Sequence, residues 1–239
     1  MHDPKADAQT SLSRRRFFKS LSLVPLAAAL PGGALGDQNG KTGEAGSGNY
    51  APTFFNPVQY AALIAICDRL IPSDEVGPGA VESGVPEFID RHMQTPYANG
   101  SIWYTQGPFL QAAAEFGYQG KLNLREILSV GLDAFDAQCK RTLGKAFAEL
   151  DHAQQEDLLK QAESGKLSLD GISSRTFFSY LLGEVRNGYF SDPKYGGNKN
   201  MGSWKMIGYP GARADYVDWV TVRDKPYPLP PVDQAGRRA

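Results

Sequence analysis

Repeated helix-start signals constrain the fold of this chain more than any other feature of its sequence. Asn56 stands directly before Pro57, and Asn123 and Asp151 each precede, by three residues, a Glu or Gln whose side chain can complete a reciprocal cap. Apolar residues recur behind these starts at helical spacing, whereas no stretch alternates with the period of two that a half-buried strand requires. The pattern predicts a mainly α-helical protein.

About five helices are predicted, joined by irregular segments. Their ranges, with caps and stops included, are 56–71, 85–94, 123–144, 151–165, and a last helix that begins at Ser173 or Ser174 and stops at Gly188. The side chains predicted to face the core are Tyr60, Leu63, Ile64, Cys67, Leu70, Ile71, Leu128, Leu132, Phe135, Cys139, Phe177, Phe178, Leu181, Leu182 and Val185. We expect an irregular helical body over 54–211 and an extended Pro-rich arm over 212–239.

The first 36 residues carry a pattern typical of an export signal. Arg14, Arg15, Phe17 and Lys19 occupy the spacing of a twin-arginine signal, and an apolar run follows them. Proteins that use this route cross the membrane already folded, usually with a cofactor inserted beforehand. The pattern therefore predicts a periplasmic protein and raises the question of where its cofactor lies.

The apolar run in the signal, and the residues that follow it, indicate how the N-terminal region behaves. Residues 21–30 are too few to span a bilayer and have no polar face, which disfavours an amphipathic helix on a membrane surface. Small residues favour cleavage before Asp37, and the Gly-rich stretch 37–53 is expected to be flexible. We expect any membrane association of the mature protein to arise only through its partners.

Charge and residue counts exclude several classes of function. Residues 1–36 hold five Lys and Arg and two Asp, so the remainder has a net charge of about −4, which argues against a nucleic-acid-binding protein. The two Cys and three His do not form haem-attachment, zinc or iron–sulfur motifs, and no Gly-rich dinucleotide turn follows a strand. No cofactor, metal or catalytic residue is expected in this chain; His92 and His152 favour ordinary structural roles.

Cys67 and Cys139 each lie on the apolar face of a predicted helix. In an oxidising compartment they could form a disulfide, and closing so long a loop would stabilise the fold. Two buried free thiols are the alternative. The sequence leaves both interpretations open.

Two irregular stretches are rich in aromatic residues. The first, TPYANGSIWYTQGPF at 95–109, is expected to pack against something. The second, GYFSDPKYGGNKNMGSWKMIGYPG at 188–211, holds six glycines and five aromatics and is called the 188–211 loop below. It suits either an interface or a loop packed on its own helices. Its candidate partner-binding or loop-shaping residues are Tyr189, Phe190, Asp192, Pro193, Tyr195, Gly196, Gly197, Asn198, Trp204 and Tyr209.

The 188–211 loop also carries a family resemblance. Its Asp-Pro-x-Tyr-Gly-Gly-Asn run, the preceding FFSYLLGEVRNG, the upstream CDRLIPSD and the twin-arginine pattern resemble the gluconate 2-dehydrogenase small subunit family, also called subunit 3. The likeness extends over about 54–211. It implies a non-catalytic partner of a large FAD-dependent dehydrogenase that oxidises gluconate, keto-gluconate, sorbitol or a related sugar.

The resemblance also implies an answer to the cofactor question. FAD would lie in the partner subunit, and haem c would lie in a third subunit, a multihaem cytochrome c that passes electrons to membrane quinone. The small subunit would help the flavoprotein to mature and supply its export signal, and the 188–211 loop and the tail would face the partner. An independent periplasmic enzyme and a ligand-binding helical protein remain the alternatives.

Overall fold

The structure, a computed structural model, describes residues 50–110 and 113–239. The predicted export signal, with Arg14, Arg15, Phe17 and Lys19, lies outside the described residues, as does most of the leader. Six α-helices and no β-strand occur in the described ranges, which confirms the mainly α prediction. The helices are α1 Pro57–Leu70, α2 Val85–His92, α3 Leu124–Leu143, α4 His152–Ser164, α5 Ser174–Phe190 and α6 Gly202–Met206.

Side-chain caps start the longer helices where the sequence predicts them. The Asn123 side chain accepts from the backbone N–H of Glu126 at 3.0 Å, and Glu126 accepts from the backbone N–H of Asn123 at 2.9 Å. Asp151 caps α4 in the same way. Ser173, rather than Ser174, caps α5.

The core lies where α5 packs against α2, α3 and α4, with α1 against α3. Phe135 forms its centre, because its ring lies 5.0 Å from that of Phe147 and 5.8 Å from that of Phe177, centroid to centroid. The predicted core stripes are largely buried, but Ile64 is exposed. Four other predicted core residues are only half-buried: Tyr60, Leu70, Ile71 and Leu182.

Gly188 was predicted to stop the last helix, and this prediction was wrong. The helix continues through Gly188 to Phe190. A Cβ at Gly188 would come within 2.7 Å of the Phe88 ring and 3.1 Å of Val85, so the missing side chain allows α5 to pack closely against α2. Gly188 is a packing residue.

Cys67 and Cys139 are separate, fully buried thiols in the structure, so the disulfide alternative is not realised. Burial raises the pKa of the Cys67 thiol far above its usual range, and the negative charge of Asp68 adds to the effect. Burial, together with the Asp136 carboxylate, raises the pKa of Cys139 to about 12. Both residues act as small apolar core residues.

A buried carboxylate on α2 anchors the start of the described chain. Asp90 accepts hydrogen bonds from the hydroxyl of Tyr50 at 2.7 Å, from the N–H of Thr53 at 2.8 Å and from the N–H of Phe55 at 2.9 Å. Burial alone would raise the pKa of Asp90, but these donors, with the N–H of Phe54, hold that pKa below its ordinary value. The end of the predicted leader, 50–53, is therefore held to the body.

Over residues 50–110 and 113–239, no helix combines the length and the apolar character that crossing a membrane requires.

Candidate partner-binding surface

The 188–211 loop is a compact structure built around Asn198. The Oδ1 atom of this fully buried residue accepts from the N–H of Ser203 at 3.1 Å and from the Ser203 hydroxyl at 2.7 Å. Its Nδ2 donates to the carbonyl of Ser191 at 3.0 Å. The amide therefore ties the end of α5 to the start of α6.

The loop holds three residues other than glycine in the left-handed region. Asn198, Asn200 and Met201 have φ of 44°, 58° and 53°. Each such residue costs on the order of 1 kcal/mol, so the surrounding contacts must hold the backbone in place. Burial of Asn198 and Met201 supplies those contacts.

Several predicted site residues lie inside the loop rather than on its surface. Trp204 is only 6% exposed, and its Nε1 donates to the carbonyl of Phe190 at 2.9 Å. Tyr189 is buried as well, and its hydroxyl donates to the carbonyl of Pro78 at 2.7 Å. These aromatic side chains stabilise the loop and offer a partner little area.

Asp192 joins the loop to the C-terminal tail. Its Oδ1 accepts from the N–H of Lys194 at 3.1 Å, which caps a 3₁₀ turn over Pro193–Tyr195, and its Oδ2 accepts from the N–H of Gln234 at 2.8 Å. The N–H of Ala212 also donates to the carbonyl of Val232 at 2.7 Å. Residues 232–234 of the tail thus return to the loop.

Gly196 and Gly197, in the turn that follows Pro193–Tyr195, have steric roles. Gly196 has φ of 99°, which a side chain would strain. A Cβ at Gly197 would lie 2.2 Å from the carbonyl oxygen of Gly188. Both positions shape the loop.

Only three of the loop's aromatic side chains reach solvent. Phe190, Tyr195 and Tyr209 are about half exposed, and Tyr195 also carries the Lys194 ammonium 4.7 Å from its ring centroid. These three residues are the predicted site residues that remain free to contact a partner.

A cleft of about 630 Å³ lies beside the loop, between α2, α5 and the tail. The side chains of Tyr195, Trp204 and Tyr209 line one part of it, and those of Phe88 and His92 line another. Its volume falls within the usual range for small-molecule sites.

A buried glutamate side chain holds His92 in place. Nδ1 of His92 lies 2.6 Å from Oε2 of Glu184, whose Oε1 accepts from the side-chain amide of Asn187 at 3.0 Å. The imidazole packs between the rings of Phe88 and Tyr97, each 5.4 Å away between centroids. The carboxylate orients the ring. Sequence reasoning missed Glu184; its position between Leu181 and Gly188 on the buried face of α5 was the available signal.

The second aromatic stretch differs from the loop in being exposed. We call residues 97–110 and 113–118 the aromatic segment. Seven of its large apolar side chains are exposed, and Tyr104 is 92% exposed. They are Tyr97, Ile102, Trp103, Tyr104, Phe109, Leu110 and Phe116. The sequence predicted that this stretch packs against something, and in the described part of this chain these side chains are left uncovered.

A cavity of about 840 Å³ lies beneath the aromatic segment. Its floor is a face of α5 that includes Ser179, Gly183 and Glu184, and its walls include Trp103 and Phe109. A Cβ at Gly183 would meet no atom within 4 Å. The cavity is therefore open space between the segment and the helical body.

A comparison with known families shows to which family the chain belongs. The family model described as gluconate 2-dehydrogenase subunit 3 matches residues 57–211. The chain belongs to that family. No curated protein and no solved structure matches it.

The subunit 3 match contains both the aromatic segment and the 188–211 loop, and it stops before the tail. Within residues 50–110 and 113–239 there is no strand that could lead into a Gly-rich pyrophosphate turn. The same residues contain no group of three or more His, Cys, Asp or Glu side chains arranged to hold a metal ion.

Proposed function

We propose that this chain is the non-catalytic small subunit of a periplasmic FAD-dependent dehydrogenase complex that oxidises gluconate, keto-gluconate, sorbitol or a related sugar. The observation that carries the proposal is the subunit 3 match over 57–211. The uncovered aromatic segment supports it, because large exposed apolar patches mark protein interaction sites.

In this proposal the redox groups lie in other subunits. FAD belongs to the large dehydrogenase subunit, and haem c belongs to a multihaem cytochrome subunit that links the complex to membrane quinone. The small subunit is held at the inner membrane through the complex.

The chain also carries the export signal for the flavoprotein. Arg14 and Arg15 direct the folded complex to the twin-arginine route, and the small subunit supports maturation of the flavoprotein before export. The sequence pattern of residues 1–36 supports this part of the proposal.

Affinity purification from the native host tests the proposal. The tagged full chain is isolated from periplasm and membranes, an absorbance spectrum is recorded, and co-purifying proteins are identified by mass spectrometry. We expect flavin absorbance together with a large FAD-dependent dehydrogenase. Recovery of the chain alone, without flavin, would refute the assignment.

The export role needs its own variant. With Arg14 and Arg15 both replaced by Lys, we expect the chain and the flavoprotein to stay together in the cytoplasm. Export of the flavoprotein without the small subunit would show that the flavoprotein does not depend on this signal.

The independent-enzyme alternative has one observation in its favour, the imidazole of His92 oriented by Glu184 beside a cleft. It predicts turnover of a sugar or sugar acid by the isolated chain, abolished in His92→Gln. If the purified chain shows no turnover, either alone or with added flavin, this alternative is refuted.

A further inference from the structure

We propose that the flavoprotein subunit docks on the aromatic segment rather than on the 188–211 loop. This inference rests on the proposed function and assigns the surface that performs it. The occupant is an apolar, largely uncharged patch of the flavoprotein.

The composition of the aromatic segment matches the core of a protein interface. The stretch 97–118 contains a single charged residue, Glu115, whereas its exposed side chains include Trp103, Tyr104 and Phe116. Interface cores are enriched in aromatic residues and depleted in charges. A patch without charges is complementary to an uncharged apolar surface and not to a basic or acidic one.

The exposed area is large enough for a stable complex. Because a large aromatic side chain can bury roughly 150–250 Å², seven large apolar side chains that are about half exposed or more offer on the order of 800 Å². This area is about one partner's share of a standard interface.

The segment is held in place at its N-terminal end. The ring of Tyr97 stacks on His92 at the end of α2, and the carbonyl of Tyr97 accepts from Nε1 of Trp103 at 3.2 Å. The carbonyl of Ala98 accepts from the N–H of Arg125 at the start of α3, at 3.1 Å. Such anchoring presents the side chains of Tyr97 and Trp103 in a defined position, which reduces the entropy lost when they bind a partner.

The cavity beneath the segment offers a place for an anchoring side chain. At about 840 Å³ it can receive a large residue from the partner, between Trp103 and the face of α5 at Gly183. Dominant interface residues typically fill such pockets near the centre of the contact.

The other exposed regions fit less well. In the 188–211 loop the side chains of Tyr189 and Trp204 are buried, and few of its other aromatic side chains are exposed. In the tail, exposed Val217 and Val220 are interrupted by Asp218 and neighbouring charges. These two regions carry more charged residues than the aromatic segment.

A photo-cross-linking experiment distinguishes the surfaces. The cross-linker p-benzoylphenylalanine replaces Tyr104 in one variant and Tyr195 in a matched control, since both are exposed tyrosines whose replacement leaves the core intact. Each tagged full chain is produced in the native host, irradiated in cells and purified. We expect the variant at position 104 to cross-link to the FAD-containing subunit and the variant at position 195 to give at least tenfold less of that product.

Three outcomes would overturn the inference. Cross-linking of the flavoprotein from position 195 alone would assign the interface to the loop. A product joining two copies of this chain at position 104 would assign the segment to self-association. Normal co-purification of flavoprotein without any product from position 104 would place the interface elsewhere.

Recovery of flavoprotein by the unaltered chain distinguishes a failure of this inference from a failure of the proposed function. If the unaltered chain recovers no flavoprotein, the proposed function fails and this inference with it. A second measurement uses Trp103→Ser with Phe116→Ser, for which we expect at least tenfold less retained flavin and an unchanged circular dichroism spectrum. The control Tyr195→Ser should retain flavin, and full retention by the double variant would overturn the proposed surface.

Discussion

The 188–211 loop and the aromatic segment are alike in their aromatic content and opposite in the environments of their tryptophan side chains. Both are irregular, rich in glycine and aromatic residues, and poor in apolar periodicity. Trp204 of the loop is 6% exposed, whereas Trp103 of the segment is 53% exposed. Aromatic content therefore shows that a stretch will pack, and does not show whether it packs within its own chain.

Hydrogen bonds made by polar atoms within the chain explain why the loop is buried and the aromatic segment is exposed. In the loop, Asn198 and Ser203 provide hydrogen bonds inside the structure, and backbone bonds such as that from the N–H of Tyr209 to the carbonyl of Trp204, 2.8 Å, close the chain on itself. Residues 104–110 make no backbone hydrogen bond to another described residue. A loop can be buried only when its own polar groups are satisfied.

The two tryptophans provide the largest test of this comparison. Trp204→Ala should lower the free energy of unfolding by about 3–5 kcal/mol, because it leaves a cavity and an unpaired carbonyl at Phe190. Trp103→Ala should lower it by less than about 1 kcal/mol. Urea unfolding of the two purified variants checks this, and equal losses would contradict the assignment of a closed loop and an open segment.

The central amide of the loop gives the next largest effect. Asn198→Ala removes three buried hydrogen bonds and should cost about 3 kcal/mol. Asn200→Ala is the matched control, because Asn200 shares the positive φ but is exposed, and it should cost about 1 kcal/mol. Thermal unfolding of both variants separates hydrogen bonding from backbone strain; similar midpoints would mean that the amide network contributes little.

Asp90 tests whether buried hydrogen bonds from a polar side chain also stabilise the helical body outside the 188–211 loop. Asp90→Asn should cost about 2–3 kcal/mol at neutral pH, because charged-acceptor hydrogen bonds to Tyr50, Thr53 and Phe55 are lost. The exposed carboxylate of Asp170, paired with Arg141, should tolerate Asp170→Asn with a change below about 0.5 kcal/mol.

The same carboxylate predicts a dependence on pH. Since the pKa of Asp90 is lowered in the folded state, its contribution to stability is complete above the unfolded pKa, about 3.9, and is lost as the pH falls through the folded-state value. Urea unfolding between pH 7 and pH 2 should show a shallower acid-induced loss in Asp90→Asn than in the parent. Parallel pH profiles would contradict the role of Asp90.

Replacing two glycines of α5 tests the comparison of the loop with the aromatic segment, and these substitutions are expected to have the smallest effects on stability. Gly188 packs against Phe88 near the loop, so Gly188→Ala should cost about 1–3 kcal/mol through overpacking. Gly183 faces the open cavity beneath the aromatic segment, so Gly183→Ala should raise stability by about 0.5–1 kcal/mol through helix propensity. Differential scanning calorimetry of both variants reports the sign, and destabilisation by Gly183→Ala would show that the cavity is already filled.

The helices were predictable because their signals are local. A cap such as Asn123 with Glu126 depends on residues within one turn, and the structure confirms that cap, the one at Asp151 and the mainly α class. The choice between Ser173 and Ser174 needed the structure, because either hydroxyl could serve as a cap.

The candidate site was only partly predictable. The sequence marked the 188–211 loop as a candidate partner-binding or loop-shaping element, but it could not separate buried Trp204 from exposed Tyr195. It also gave no sign that His92 would meet Glu184, because the two residues lie on different helices.

The sequence by itself determined the helical class, the starts of the helices that Asn56, Asn123 and Asp151 cap, and the family, since these follow from neighbouring residues and from a continuous motif. Only the tertiary structure decided which aromatic stretch is closed and which is open. Burial depends on residues distant in the chain, as when Phe88 meets Gly188 or Gln234 donates to Asp192. Such contacts form only when the helices pack, and no local pattern encodes them.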